Sequence, residues 1–282
     1  MILVTGASGY LGSFLSDRLE KEGHSVYRAS RETLNVLDQE AVESMFNENN
    51  IEYVIHAAVQ GGRRTRPDTQ EDFYRNILMF ENLALHRDKF KLMINLGSGA
   101  SFDRSGNIDM AVESGVLKSC PVDYYGLSKN IIAKRIYGID ENIVNLRIFN
   151  CFGENELPDR MIKANCLRHI QGEDMIIHSD REMDFFYIED FYKVICFYLE
   201  NKREKFPIDL NLCYEEKISL SGITDSIKRL TSSKNDVILL NEEKGLSYTG
   251  SPERLISIGI DLNGFRKSIT KVYELLQEQA NE

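Results

Sequence analysis

The stretch ILVTGASGYLGSFL, Ile2 to Leu15, decides the fold. Ile2 to Thr5 read as a short buried strand. Glycines follow at 6, 9 and 12, and LGSFLSDRLEKEG continues as a helix that closes on Gly23, a residue suited to a C-cap. Glycine allows a tight turn and close backbone approach. A pyrophosphate therefore fits on the helix N-terminus, where unpaired N–H groups and the dipole favour anions. The spacing is GxxGxxG rather than GxGxxG. Gly6, Ser8, Gly9, Tyr10 and Leu11 are the expected dinucleotide contacts.

Further short apolar runs alternate with helical patterns: SVY at 25–27, YVIHAA at 53–58, KLMINLG at 91–97 and NIVNLRIFN at 142–150. The helices between them are carried by QEAVESMFNENN, FYRNILMFENLALHRD and YYGLSKNIIAKRIYG. Continuous apolar strands separated by helices imply a parallel sheet covered on both faces. The expected fold is a doubly wound α/β (Rossmann) domain over 1–150 with a smaller C-terminal substrate lobe over 151–282. In that lobe, helices are expected near 159–171, 189–200 and 219–231, and strands near 175–178 and 208–212. Residues 180–200 are expected to return to the first domain.

The second strand runs into VYRASRE, where NAD enzymes place an acid on the ribose hydroxyls. This chain has Arg28 and Arg31 there, and guanidinium groups suit a 2′-phosphate, so NADP(H) is favoured over NAD(H). Glu32 keeps NAD open.

Among 282 residues, 42% are hydrophobic, enough to fill such cores. The 34 basic and 44 acidic side chains give a net charge of −10, which opposes nonspecific binding to nucleic acid or anionic membrane. The five cysteines form no CxxC pair and the five histidines no metal-binding spacing, so no metal is expected and the thiols read as reduced. No basic leader with a long apolar run is visible, and a cytoplasmic protein is expected.

PVDYYGLSK sets Tyr125 and Lys129 four apart, on one face of a helix, with Tyr124 displaced from that face. A phenol exchanges protons near neutrality only beside positive charge, which Lys129 supplies. Ser98, at the end of the fourth strand in INLGSGASFD, is placed to hydrogen-bond the same substrate carbonyl that Tyr125 protonates. Ser98, Tyr125 and Lys129 are the candidate catalytic trio.

TGASGYLG, VIHAAV, RNILMFENLA, LGSGAS, YGLSK, RIFNCFG and DFFYIED together resemble the extended short-chain dehydrogenase/reductase superfamily, whose members act on nucleotide sugars. The resemblance implies cofactor contacts at Val36, Asp38 (to adenine), Ala57, Ala58, Asn76, Lys129 and Phe149. It implies substrate contacts at Ser98, Gly99, Tyr125, Asn150, Lys163, Arg168 and Arg254, a nucleotide-diphosphate sugar as substrate, and a homodimer formed through helices near 70–88 and 123–138. The family's arginine before Asp-Phe is Met183 here, with Arg181 nearby.

VYRASRETLNVLDQEAVESMF is most similar to the GDP-fucose synthase branch. That branch epimerises with a cysteine two residues after the serine and a histidine on a later helix, positions that fall on Ala100 and Arg160. The dehydratases carry Asp-Glu where this chain has Gly99 and Ala100. Without those groups the resemblance implies hydride chemistry alone: NADPH-dependent reduction of a keto-sugar nucleotide, with 4-epimerisation on bound NAD(H) and a noncatalytic NADP-binding sensor as alternatives.

Overall fold

The computed structural model describes residues 1–62, 66–139, 142–201, 206–231 and 235–281. In chain order they form β1 (Ile2–Thr5), α1 (Tyr10–Lys21), β2 (Val26–Ala29), α2 (Gln39–Glu48), β3 (Tyr53–His56), α3 (Gln70–Ala84), β4 (Leu92–Ser98), β5 (Ile108–Ala111), α4 (Tyr124–Tyr137), β6 (Ile143–Ile148), β7 (Cys151–Phe152) and α5 (Met161–Ile170). There follow β8 (Met175–Ser179), β9 (Phe186–Tyr187), α6 (Ile188–Glu200), β10 (Asp209–Leu212), α7 (Leu220–Lys228), β11 (Val237–Asn241), β12 (Tyr248–Gly250), α8 (Glu253–Ser257) and α9 (Gly264–Asn281).

Two units interleave along the chain. The first comprises Met1–Ser105, Val112–Ile148 and Ile195–Asn211; the second comprises Gly106–Ala111, Phe149–Val194 and Leu212–Glu282. The chain's return to the first unit thus begins at Ile195, and residues 180–194 belong to the second.

The first unit is built on a sheet of order β10-β6-β4-β3-β1-β2, parallel from β2 through β6. This is the doubly wound α/β arrangement, with the order reversing between β1 and β3. Ligands of such sheets bind beyond the carboxyl ends of the strands at that reversal. One sheet face changes character along the strands. Leu3, Val54, Met93 and Ile143 stand in register across it, all buried within the apolar core that α2 and α3 complete with Val42, Phe46, Phe80 and Leu83. Two residues further on, the same face presents Thr5, His56, Asn95 and Asn145, again in register and all buried. Successive side chains of a strand alternate between faces, so this polar row lies directly beyond the apolar one. Its members bond to one another: Thr5 Oγ1 lies 2.8 Å from His56 Nδ1, and Asn95 Nδ2 donates to Asn145 Oδ1 at 2.7 Å.

The second unit holds three two-stranded parallel ladders, β8–β11, β5–β12 and β7–β9. Asp190, fully buried, accepts from Tyr214 Oη at 2.6 Å and from the backbone of Asn263 and Gly264 at the start of α9. The strand–helix alternation in the sequence indicates neither β11, β12, α8 nor α9. Among the described residues no helix is long and apolar enough to cross a membrane. Among the described residues no disulfide links any of the five cysteines.

A Cβ on Gly12 would sit 2.2 Å from the Gly6 carbonyl oxygen, whereas one on Gly106 would meet nothing within 4 Å. Gly12→Ala should therefore destabilise the protein by about 2–3 kcal/mol and lower the melting temperature. Gly106→Ala should leave it unchanged or raise it slightly by restricting the unfolded chain. Thermal melts followed by circular dichroism check both.

Candidate active site

The turn after β1 is shaped for a ligand with phosphates. Gly6 has φ +65°, and a Cβ there would press on the backbone of Ala57 and Ala58, 2.7 Å from the Ala58 nitrogen. Only glycine accommodates both that φ and that approach. The next helix, α1, starts at Gly9 with no side-chain cap and no acid in its first turn. Its first N–H groups and positive dipole end are left for an anion. Ser8 and Gly9 are exposed, while Tyr10 and Leu11 open the helix half-buried. A pyrophosphate-containing dinucleotide fits this arrangement.

The other expected cofactor residues divide. Arg31 is exposed and has no ion pair among the described residues. Arg28 differs from the expectation: its guanidinium turns back onto α1, 2.6 Å from Glu20 and 2.7 Å from Asp17, and both acids raise its pKa. Those acids engage its Nε and Nη2 donors. Asp38 caps α2 by accepting from Ala41 N at 3.1 Å, and Val36 is buried with its carbonyl accepting from Asn82. Buried Asn76 ties the segment after β3 to α4, bonding the Gln60 backbone at both its amide atoms and donating to Ser128 Oγ at 3.1 Å. Phe149 lies in the second unit, edge-on to Tyr248.

Ser98, Tyr125 and Lys129 come together in the first unit. β4 ends at Ser98 and continues as a single 3₁₀ turn, Gly99–Ser101, in which Ala100 N donates to Ser98 Oγ at 3.2 Å. α4 begins beside that turn, capped by Asp123, which accepts from Gly126 N at 2.7 Å. The Ser98 hydroxyl lies beside the half-buried Tyr125 phenol, close enough to lower its pKa. Burial is the largest influence on this phenol and raises its pKa; Ser98 and Arg104 pull it down, and Asp68 and Asp123 push it up. At neutral pH Tyr125 is consequently protonated, a proton donor in waiting.

One turn along α4, Lys129 is buried and donates to the Leu96 carbonyl at 2.7 Å. Burial brings its pKa down to about 8. His56, on the polar row, is held neutral by burial and by the Lys129 charge, its pKa reduced to about 3. A neutral imidazole there adds no second positive charge beside Lys129.

Two neighbours of Tyr125 went unrecognised in the sequence. Gly62, φ +70°, lies over the phenol ring so closely that a Cβ would come within 2.9 Å of it, and its N–H donates to Asp68 Oδ1. The pair Gly61-Gly62 after β3 was a visible signal without a visible purpose. The Arg104 guanidinium stands 6.0 Å from the centre of the same ring while bonding Asp123 at 2.7 Å.

The expected substrate residues other than Ser98, Gly99 and Tyr125 lie in the second unit. Asn150 Nδ2 donates to the Asp184 carbonyl, and its Oδ1 accepts from Arg160 at 3.4 Å. Lys163 Nζ donates to the Glu154 carbonyl at 2.7 Å. Arg168, at the far end of α5, faces Glu173 at 3.3 Å rather than joining Asn150 and Arg160. Arg254 sits half-buried on the short helix α8. Glu156, missed in the sequence, is buried beside Arg160 and keeps its proton up to about pH 8 because burial disfavours the carboxylate.

The profile of the NAD dependent epimerase/dehydratase family matches residues 2–213 of this chain. CDP-abequose synthase of Salmonella muenchen is 24% identical over 258 residues, 84% of this chain and 82% of that protein. A putative UDP-glucose 4-epimerase of Methanocaldococcus jannaschii is 25% identical over 277 residues, 88% of each. Among solved structures, GDP-mannoheptose C4 reductase of Campylobacter jejuni with NADP bound superposes with a TM-score of 0.81 over 97% of both chains, at 17% identity.

Lys129 generates a testable stability effect. Its pKa, about 8 when folded against 10.5 in an open chain, means that burial of the charge costs stability fully below pH 8. That cost shrinks as pH rises from 8 towards 10.5, where the folded state sheds its proton first. Lys129→Met should raise the melting temperature by a few degrees at pH 7, and the advantage should fade above pH 9. Calorimetry at a series of pH values checks the sign; a lower melting temperature for the variant at pH 7 would contradict it.

Proposed function

The chain belongs to the NAD dependent epimerase/dehydratase family, and we propose that within it the protein is an NADPH-dependent reductase of a nucleotide-diphosphate keto-sugar, acting on a carbonyl at C4. The observation that carries this reading is the serine turn. Ser98 meets the Tyr125 phenol, and the two residues behind it are Gly99 and a fully buried Ala100. Neither has a side chain that moves a proton, so elimination or carbanion chemistry at this turn lacks its acid and base. The name of the Campylobacter jejuni C4 reductase favours the same reaction. Surface-glycan or deoxysugar synthesis is the setting that such a substrate suggests.

When bound, the reduced nicotinamide supplies the hydride that adds to the carbonyl carbon. Tyr125 gives its phenolic proton to the carbonyl oxygen, so C=O becomes CH–OH. Ser98 donates a hydrogen bond to that oxygen, an interaction that strengthens as negative charge develops on it. Lys129, charged below about pH 8, stabilises the phenolate left on Tyr125. The Gly62 backbone covers one face of the Tyr125 ring and holds it in place. Asn150 and Arg160 are the polar pair we assign to the nucleotide sugar in the second unit.

NADP is favoured over NAD on Arg31 alone, since Arg28 is bound to Asp17 and Glu20. The reading includes a cytoplasmic homodimer. α3, the Leu85 that follows it, and α4 leave Tyr74, Leu85, Tyr124 and Ile131 exposed in the first unit, an apolar set that a second copy would cover.

Incubation with NADPH and a panel of 4-keto nucleotide sugars should consume cofactor in step with product. Interconversion of 4-hydroxy sugars without net cofactor change would instead assign a 4-epimerase. Tyr125→Phe should lower kcat by about 10²–10⁴-fold, and unchanged turnover would remove Tyr125 from the chemistry. Arg31→Ala should weaken NADPH by roughly 10–100-fold, the worth of one or two charge-assisted hydrogen bonds, and leave NADH unaffected. Fluorescence titration with both cofactors reads the difference.

A further inference from the structure

We propose that Arg147 is a positioning residue for the site, holding Ser98 in its productive orientation through the hydroxyl of Ser101. The inference rests on the reading that Ser98 and Tyr125 perform the chemistry. It starts from an unusual expenditure. Arg147 is completely buried, and so is its partner Asp209, 2.6 Å away on β10. Buried ion pairs of this kind rarely add stability over apolar residues of the same shape, so the sheet gains little from the charges themselves.

What the guanidinium provides is direction. Nη2 donates to Asp209 Oδ2, Nη1 to Asn211 Oδ1 at 2.9 Å and Nε to Ser101 Oγ at 2.9 Å. Its plane lies over the Phe102 ring, 4.9 Å from the centre. A planar fork fixed on three sides has one orientation, so the Nε–H vector towards Ser101 is rigid.

The polar row anchors the fork in turn. Asn145 Nδ2 donates to Asp209 Oδ1 at 2.7 Å, and Tyr137 Oη on α4 donates to Asp209 Oδ2 at 3.1 Å. Gly97, the register partner of Arg147, leaves room for the Asn145 amide, which a Cβ would strike at 2.3 Å.

Ser101 is the last residue of the serine turn, and a second element grips it. Its carbonyl accepts from Asn130 Nδ2 at 2.8 Å, and Asn130 follows Lys129 on α4. Strand β6 therefore holds the turn by its side chain and helix α4 by its backbone. Within the turn, Ser98 Oγ accepts from Ala100 N at 3.2 Å, which takes up one lone pair and leaves the hydroxyl hydrogen to turn to another acceptor. Rotation of the turn redirects that hydrogen. Arg147 touches neither Ser98 nor Tyr125 in this chain of bonds; it acts through Ser101.

Ser101→Ala cuts the link while leaving the Arg147–Asp209 pair in place, and Arg147→Lys keeps the charge but loses the Nε donor. Two readouts apply. In the first, the Tyr125 phenol is titrated by ultraviolet absorbance in the cofactor-loaded protein, each variant being compared with its Tyr125→Phe counterpart, which needs no substrate. Arg104, Asp68, Asp123 and Lys129 are unchanged in these variants, so a shift reports the placement of the Ser98 hydroxyl. In the second, kcat and KM are measured with the 4-keto sugar that the wild type turns over.

The expected result is a rise in the phenol midpoint in both variants, no further rise in the double variant, and restoration by Ser101→Thr, which returns the hydroxyl. kcat should fall about tenfold or more with KM unchanged. An unmoved phenol midpoint in Ser101→Ala overturns the proposal, and so does additive loss in the double variant, because the two changes sever one bond. If Arg147→Lys does not fold, Ser101→Ala and Ser101→Thr decide alone. Absence of any wild-type turnover would remove the reductase reading, while the phenol titration would still judge Arg147.

Discussion

Gly126 and the carbonyl of Ala100 meet backbone to backbone, so closely that a Cβ on the glycine would stand 2.5 Å from the oxygen. The rest of the candidate site depends on this contact. It brings the start of α4 against the end of β4 without an intervening side chain, and it fixes the step from Ser98 to Tyr125. The same glycine supplies the N–H that Asp123 caps, so one residue closes the helix end and admits the serine turn. Lys129 follows one helical turn later on the same face. A larger residue at 126 would push apart three groups whose value lies in their separation.

Packing and chemistry share the sheet by dividing its length. The apolar row of Leu3, Val54, Met93 and Ile143 supplies burial, where each side chain contributes on the order of 2 kcal/mol. The polar row beyond it, from Thr5 to Asn145, contributes far less net energy, and each of its buried donors and acceptors carries a cost when unmet. Two of its members, Thr5 and His56, are the last residues of β1 and β3, at the carboxyl ends where doubly wound sheets receive ligands. Stability and function therefore separate by two residues on one face, and Lys129 and His56 show the electrostatic strain on the functional side.

The parts legible in the sequence were those set by local spacing. The glycine turn, the i,i+4 pair of Tyr125 and Lys129, and Ser98 at a strand end all follow from motif spacing, helical period and apolar runs, and so does the alternation that builds five strands of the sheet; β10, expected in the smaller lobe, instead lies beside β6 in the first unit. Arg28 shows what local spacing leaves out. Its neighbours in sequence suggested a cofactor contact, but its fate is decided by Asp17 and Glu20 on the preceding helix, which become adjacent only when β2 pairs with β1. Gly62, Arg104 and Glu156 escaped for the same reason: each has meaning only through a residue brought to it by folding. Asn76 belongs to a family-like segment, and its bonds to Gln60 and Ser128 show a tie between two segments. The strands and helices beyond residue 231 lacked the strand–helix rhythm that revealed the sheet.

The interleaved course of the chain has a consequence for biosynthesis. Arg147 leaves the ribosome 62 residues ahead of Asp209, its only buried counter-charge among the described residues. At about 5–20 residues per second that interval lasts roughly 3–12 s. For that time the sheet lacks its edge strand β10, and the guanidinium destined for the interior has no ion to receive it. The nascent first unit must therefore stay open along that edge, hydrated and accessible to chaperones, and its final closure waits on a segment made after most of the second unit's early elements have emerged.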